Sequence, residues 1–218
     1  MHTNPVATIC LIFSVILMHV GSLQAETPPS VVQKEVLALQ TFFRPNEQAV
    51  LEALWKRAMA IEGVDCAMRA GAVPHMTTGS WRVSPSELQE AMAVLSPRLD
   101  GLTELPMTVR LEEGEYEGSI GWELIPESSP ALLEYHCAVL TRLGFTYEPF
   151  RKIDIPGQWL PHITLFSVKK ESAPRVREQL EPILTELREI HTLHAARLGL
   201  VTFQYPFKIV AEKALRGQ

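Results

Sequence analysis

Apolar and polar positions alternate along the chain in stretches that predict strands and helices in turn. The first apolar, β-prone run is VLALQTFF at 36–43, which is typical of a buried strand. Pro45 follows it and is a favoured first residue of a helix. Val50, Leu54 and Ile61 then recur at helical spacing, which predicts that they share a buried face. A strand followed by a helix is therefore expected here.

The same alternation continues through the middle of the chain. A strand is predicted at 71–82, and the Ser-Pro-Ser-Glu sequence at 84–87 is a capping box that predicts the start of a second helix. Two strand-like runs at 105–111 and 119–125 have the spacing of a hairpin. Ser129, followed by a proline, is predicted to begin a third helix.

The last third of the chain repeats this pattern. WLPHITLFSV at 159–168 predicts a strand, and 171–190 is the most periodic helical segment of the sequence. Closing strands are predicted at 193–202 and 207–211. The full order, β-α-β-α-β-β-α-β-α-β-β, contains strand, helix, strand and helix once in each half. This order indicates an α+β protein built as two related lobes.

One short motif occurs twice, once in each half and each time on a predicted strand. It reads Pro-His-Met-Thr around His75 and Pro-His-Ile-Thr around His162. A single H-x-T match is a weak signal, but two matches in corresponding places are informative. Side chains on a strand alternate between its faces, so His75 is expected beside Thr77, and His162 beside Thr164.

An imidazole paired with a hydroxyl in each lobe suits phosphoryl chemistry. Histidine titrates near neutral pH, so one ring can act as the base while the other acts as the acid. The hydroxyls can donate hydrogen bonds to the non-bridging oxygens of a phosphate. This chemistry needs neither a metal ion nor an organic cofactor, and no metal-binding pattern such as H-E-x-x-H occurs in the sequence.

The duplicated motif, with the helices around it, resembles the two-histidine phosphoesterase superfamily. The similarity extends over about 36–213, and GFTYEPF…LPHITLFSV is similar to the second motif of the 2′-5′ RNA ligase-like and cyclic phosphodiesterase branch. The resemblance implies two pseudo-symmetric lobes, each an antiparallel sheet with helices outside, around a V-shaped central cleft. It also implies a catalytic set, which consists of His75, Thr77, His162 and Thr164.

Other residues near the motifs are candidates for substrate binding. The aromatic side chains of Trp81, Tyr147, Phe150 and Trp159 are expected to stack on a base, or else to belong to the core. Arg151 is a candidate phosphate ligand, or else a solvated surface charge. Bacterial relatives in the resembled family often carry a basic residue shortly after the second motif. In this chain the fifth residue after His162 is Ser167, and Lys169 and Lys170 follow it, which bears on the identity of the substrate.

The composition limits the partners. The net charge of −5 is unfavourable for an extended nucleic-acid surface, so the expected partner is a small nucleotide or the end of an RNA. We expect a monomer. Cys66 and Cys137 are predicted to be isolated buried thiols, or alternatively one disulfide.

The chain begins with a charge-free apolar leader. The predicted organisation is a signal peptide at 1–25, a linker at 26–35, the phosphoesterase domain at 36–213 and a tail at 214–218. Secretion or periplasmic export follows from this, without a stable membrane span after cleavage. The alternative is a protein anchored in the membrane by an uncleaved leader.

These features together predict a metal-independent phosphodiesterase that acts on 2′,3′-cyclic phosphates or 2′-5′ linked nucleotides and RNA ends. Two alternatives remain open from the sequence. One is a catalytically silent nucleotide-binding protein with the same fold, and the other is an envelope or anchored protein on this fold that serves protein–protein contacts.

Overall fold

The computed structural model describes residues 34–116, 118–203 and 206–217, and the predicted leader lies outside them. These residues form an α+β fold. The strands are β1 (Glu35–Phe43), β2 (Val64–Asp65), β3 (Met76–Val83), β4 (Leu105–Tyr116), β5 (Ser119–Pro126), β6 (Glu148–Pro149), β7 (Ile163–Lys169), β8 (Thr192–Thr202) and β9 (Lys208–Ala214). The helices are α1 (Pro45–Met59), α2 (Pro85–Arg98), α3 (Pro130–Leu143) and α4 (Ala173–Arg188).

The strands form two antiparallel sheets that are joined by β4. The first sheet has the order β6-β3-β1-β8, with β9 also paired to β8, and the second has the order β2-β7-β5-β4. Residues 105–108 of β4 pair with β8, while residues 109–116 pair with β5. A single long strand therefore belongs to both sheets, which confirms the predicted fold class of two lobes with antiparallel sheets.

The predicted repeat is present, but the halves are exchanged between the lobes. Helices α1 and α3 begin 85 residues apart (130 − 45), and α2 and α4 begin 88 apart (173 − 85). The two-residue strand β2 of the first half pairs with β7 of the second, and β6 of the second half pairs with β3 of the first. Helix α1 likewise contacts β7 and α4. Each lobe therefore contains elements from both halves of the sequence.

The buried face of α1 differs from the predicted one. Val50 is 51% exposed, whereas Leu51, Leu54, Trp55 and Ala58 are buried. These four lie at the spacing i, i+3, i+4 and i+7, which is the apolar stripe of a helix against a core. A shift of one position turns a side chain by about 100° around the axis, so Val50 faces solvent.

The ends of the fold and the cysteines also refine the predictions. Strand β9 reaches into the predicted tail, where Leu215 is buried and Arg216 forms a bridge with Thr103. Cys66 is buried, Cys137 is exposed, and both are free thiols. The expectation that both thiols are buried is therefore wrong for Cys137.

Within the described ranges, no helix combines the length and apolar character needed to cross a bilayer.

Candidate active site

Both motif histidines occupy the same local structure. His75 directly precedes β3, and His162 directly precedes β7. The Nδ1 atom of His75 lies 2.7 Å from the carbonyl oxygen of Val73, and that of His162 lies 2.8 Å from the carbonyl oxygen of Leu160. A carbonyl only accepts hydrogen bonds, so each Nδ1 carries the hydrogen and donates it. In the neutral rings Nε2 therefore carries the lone pair and is left for chemistry.

The two imidazoles are close enough for their charges to interact. The pKa of His75 is lowered from 6.5 to about 4, mainly by burial of the ring. The hydrogen bond to the Val73 carbonyl opposes this effect, and electrostatic repulsion from His162 and Arg151 adds to it. Strands β3 and β7 also approach each other directly. His75 is accordingly neutral at pH 7, in a site that it shares with a second histidine and an arginine.

A β-bulge in β3 shapes the first lobe of the site. Gln40 of β1 lies opposite Thr77, but the preceding residue, Leu39, lies opposite Gly79, so Thr78 is the extra residue. Leu39 packs in the core, and the alternation of the strand therefore places Gln40 and Thr77 on the other face. This face is the one that borders the cleft.

A bulge at the corresponding place in β7 shapes the second lobe. Glu123 of β5 lies opposite Thr164, but Trp122 lies opposite Phe166, so Leu165 is the extra residue. Both bulges follow their histidine by three positions. Since Trp122 and Phe166 pack in the core, Glu123 and Thr164 face the cleft.

Sequence reasoning missed the polar residues beside the two threonines. Gln40 is 3% exposed and Glu123 is 6% exposed, and each is the cross-strand partner of a motif threonine. The Thr164 hydroxyl donates a hydrogen bond of 3.4 Å to Oε1 of Glu123. A signal was available, because each of these residues interrupts an otherwise apolar strand. Their closeness to the threonines depends on strand pairing, which the linear sequence does not state.

The segment before His162 is hydrogen-bonded to the strand that follows His75. The indole N–H of Trp159 donates to the carbonyl of Thr77 over 3.0 Å. The ring of Trp159 stacks on His136 at 4.0 Å, and Nε2 of His136 donates to the carbonyl of Thr78 over 2.9 Å. His136 thus has a structural role.

The structure places the aromatic candidates differently from one another. Trp81 is 7% exposed and Trp159 is 6% exposed, so both rings belong to the core. Tyr147 is half-buried. Phe150 is 38% exposed, and the guanidinium of Arg82 lies 5.0 Å from its ring centre. Of these four rings, that of Phe150 is the one open to solvent.

Arg151 is held in a two-pronged ion pair. Its Nε and Nη2 donate to the carboxylate of Asp154 over 2.8 and 3.0 Å, and the Ser80 hydroxyl donates to the same carboxylate. Asp154 is buried, and Ser80 shares the face of Thr77. Arg151 is therefore positioned beside the site, where its charge acts on His75.

A group of three or more His, Cys, Asp or Glu side chains that could hold a metal ion does not occur in the described part of the chain. Thr77 pairs with Gln40 and Thr164 pairs with Glu123, and the two histidines are close enough to interact electrostatically. Such a set offers acid–base groups and hydrogen-bond donors around one cleft.

No protein-family model matches the sequence, and a comparison with curated proteins finds no relative. Solved structures do share the fold. The protein TT0787 of Thermus thermophilus is 17% identical with a TM-score of 0.51, and a protein described as a phosphoesterase is 11% identical with a TM-score of 0.50. Apo LigT of E. coli is 14% identical with a TM-score of 0.49. Each alignment covers 84% of this chain and 99% of the other. The two structures with TM-scores of 0.50 and 0.51 show that the chain has the fold that the duplicated motif predicts.

Proposed function

We propose that the protein is a two-histidine phosphodiesterase that acts, without a metal, on 2′,3′-cyclic phosphates or 2′-5′ linked nucleotides and RNA ends. The observation that carries the proposal is the matched pair of imidazoles. Both rings donate through Nδ1 to the carbonyl two residues earlier, and both leave Nε2 for a ligand. The fold is shared with a structure that is described as a phosphoesterase, which supports this reading.

The asymmetry of the two histidines suggests a role for each. His75 is neutral at pH 7 because its pKa is lowered to about 4, so it is suited to accept a proton from the attacking water or hydroxyl. His162 then supplies a proton to the departing ribose oxygen. After the reaction His75 is protonated and His162 is neutral. Proton exchange with solvent then returns both rings to their starting forms.

The hydroxyls and the nearby cation support the anionic phosphate. Thr77 and Thr164 lie on the cleft face, where they can donate to its non-bridging oxygens as negative charge increases. The charge of Arg151 favours a phosphate beside His75. With a net charge of −5, the protein is suited to a small nucleotide or an RNA end, which it would meet as a monomer after export.

A substrate screen tests the proposal. The purified protein is incubated with 2′,3′-cyclic mononucleotides and 2′-5′ linked dinucleotides, with and without a chelator. We expect turnover of at least one class, equal in both conditions. Activity that a chelator abolishes and a divalent ion restores would contradict the mechanism. Nucleotide binding without any turnover would instead favour the catalytically silent alternative.

A further inference from the structure

Glu123 is a carboxylate enclosed in the cleft beside the second motif. Its neighbours in β5, Trp122 and Leu124, pack in the core, so the pleat directs Glu123 to the opposite face. Its strand partner is Thr164, which shares that face with His162. A carboxylate that is only 6% exposed normally has several hydrogen-bond donors or a cation as partners.

Glu123 has few such partners. Among the described residues, its carboxylate accepts one hydrogen bond, the 3.4 Å bond from Thr164, and it makes no ion pair. That bond is long for a hydroxyl and a carboxylate, which usually lie about 2.5–2.7 Å apart. The second carboxylate oxygen is not among the polar atoms that are fully enclosed without a partner. This oxygen is therefore partly accessible, and among the described residues its acceptor capacity is unused.

A carboxylate in this position opposes the binding of an anion unless the ligand itself supplies a donor. A phosphate oxygen bound by the Thr164 hydroxyl would lie within two hydrogen bonds of Glu123, about 6 Å. The donor must then be close to the phosphate. A ribose hydroxyl on the carbon next to the esterified one meets this requirement. The exocyclic amino group of a base lies farther away, because the rigid heterocycle stands between it and the sugar.

The corresponding position in the first lobe differs in charge. Gln40 pairs with Thr77 as Glu123 pairs with Thr164, but it carries a neutral amide. The preference for a donor therefore lies on the His162 side of the cleft. In the proposed function, His162 protonates the departing ribose oxygen on this same side. The ribose that carries this oxygen would therefore contact both His162 and Glu123.

We propose that Glu123 accepts a hydrogen bond from the free ribose hydroxyl next to the phosphorylated one, and so selects linear ribonucleotide esters over their deoxy analogues. This inference rests on the proposed function, since it concerns the same cleft. It predicts that a 2′-linked ester with a free 3′-hydroxyl is preferred to a 2′,3′-cyclic phosphate, in which both oxygens are esterified.

Calorimetric binding to the full chain tests the inference without turnover. The ligands are adenosine 2′-monophosphate and its 3′-deoxy analogue. We expect the wild type to bind the first at least about tenfold more tightly, which is the factor carried by one hydrogen bond to a charged group. Glu123→Ala should bind both ligands equally, and Glu123→Met fills the space without an acceptor should the alanine variant fail to fold.

Glu112→Ala is the matched control, because Glu112 faces Glu123 from β4 but is exposed and paired with Arg110. It should keep the preference. Equal binding of both ligands by the wild type, binding of neither, or a preference that persists in Glu123→Met would overturn the inference. A wild type that shows the preference but turns over no phosphodiester would overturn the proposed function alone.

Discussion

The indole nitrogen of Trp159 lies 3.0 Å from the carbonyl oxygen of Thr77 and donates a hydrogen bond to it. Trp159 precedes His162 by three residues, and Thr77 follows His75 by two. This buried bond therefore connects the backbone around one histidine to the strand that begins at the other. In the proposed mechanism both rings act on a single phosphate, so the distance between them matters, and it depends on such contacts.

Trp159→Phe should weaken this connection while an aromatic ring remains against His136. The carbonyl of Thr77 would lose its buried donor, which typically costs about 1–3 kcal/mol of unfolding free energy. Catalysis should fall by about tenfold or more in the fraction that remains folded, because a small displacement of a catalytic group is costly. Urea unfolding and initial rates at matched folded fraction measure the two effects.

Trp55→Phe is the control for that experiment. Trp55 is also buried, but its indole N–H has no partner among the described residues. Trp55→Phe loses ring volume but no hydrogen bond, so it should destabilise the protein less than Trp159→Phe and leave catalysis nearly unchanged. Equal effects of the two substitutions would show that the hydrogen bond of Trp159 contributes nothing beyond the volume of its ring.

Both motif histidines are predicted to be essential. His75→Ala and His162→Ala should each lower kcat by at least about 100-fold, which is the lower range for general acid–base groups. The double variant should be little worse than the worse single one, because the two rings act as a unit. The exposed His191 provides a control, and His191→Ala should retain wild-type rates. Multiplicative losses in the double variant would argue against a concerted pair.

Part of this site was accessible from the sequence, and part was not. The H-x-T spacing and the periodicity of the helices are local, so the motif residues and the order of the main elements follow from them. Strands β2 and β6 have two residues each and show no period. These two strands pair across the lobes, so the exchange of elements between the lobes could not be predicted from the sequence.

The surroundings of the aromatic residues were likewise set by tertiary contacts. Trp81 lies against the backbone of Gly79, where a Cβ atom would come within 2.5 Å of the indole ring. Trp81 is buried there, so of the two alternatives that the sequence left open, stacking on a base or a place in the core, the structure shows the second. Gln40 and Glu123 illustrate the converse. Their sequence context suggests burial, and only the pairing with Thr77 and Thr164 shows them at the cleft.

The pH dependence of kcat/KM should reveal the low pKa of His75. The acid limb of this profile reports the base in the free enzyme, so activity should be half lost near pH 4 rather than near 6.5. Arg151→Met removes one of the positive charges that lower this pKa, and the limb should move to higher pH. Lys152→Met, which changes a neighbouring charge, should leave it in place. An acid limb at pH 6.5 in the wild type would contradict a neutral His75 base.

The same pKa makes a prediction about stability. The pKa of His75 is lower in the folded state, about 4, than the ordinary value of 6.5 expected in the unfolded chain. Between these two values the unfolded chain binds the proton more tightly, so this contribution to stability is complete above pH 6.5 and is lost as the pH falls towards 4. The half-buried ring should contribute about 1–2 kcal/mol after allowance for solvent screening.

His75→Gln removes this titration and serves to measure it. Carboxylates, and His136 with its pKa also lowered by burial, titrate in both proteins and cancel in the difference. The unfolding free energy of the wild type should therefore fall more steeply than that of the variant from pH 6.5 to pH 4. Above pH 7 the difference between the two proteins should be constant. Parallel curves across the acidic range would mean that the folded and unfolded states bind the His75 proton equally, and the assignment of His75 as the base would lose its electrostatic support.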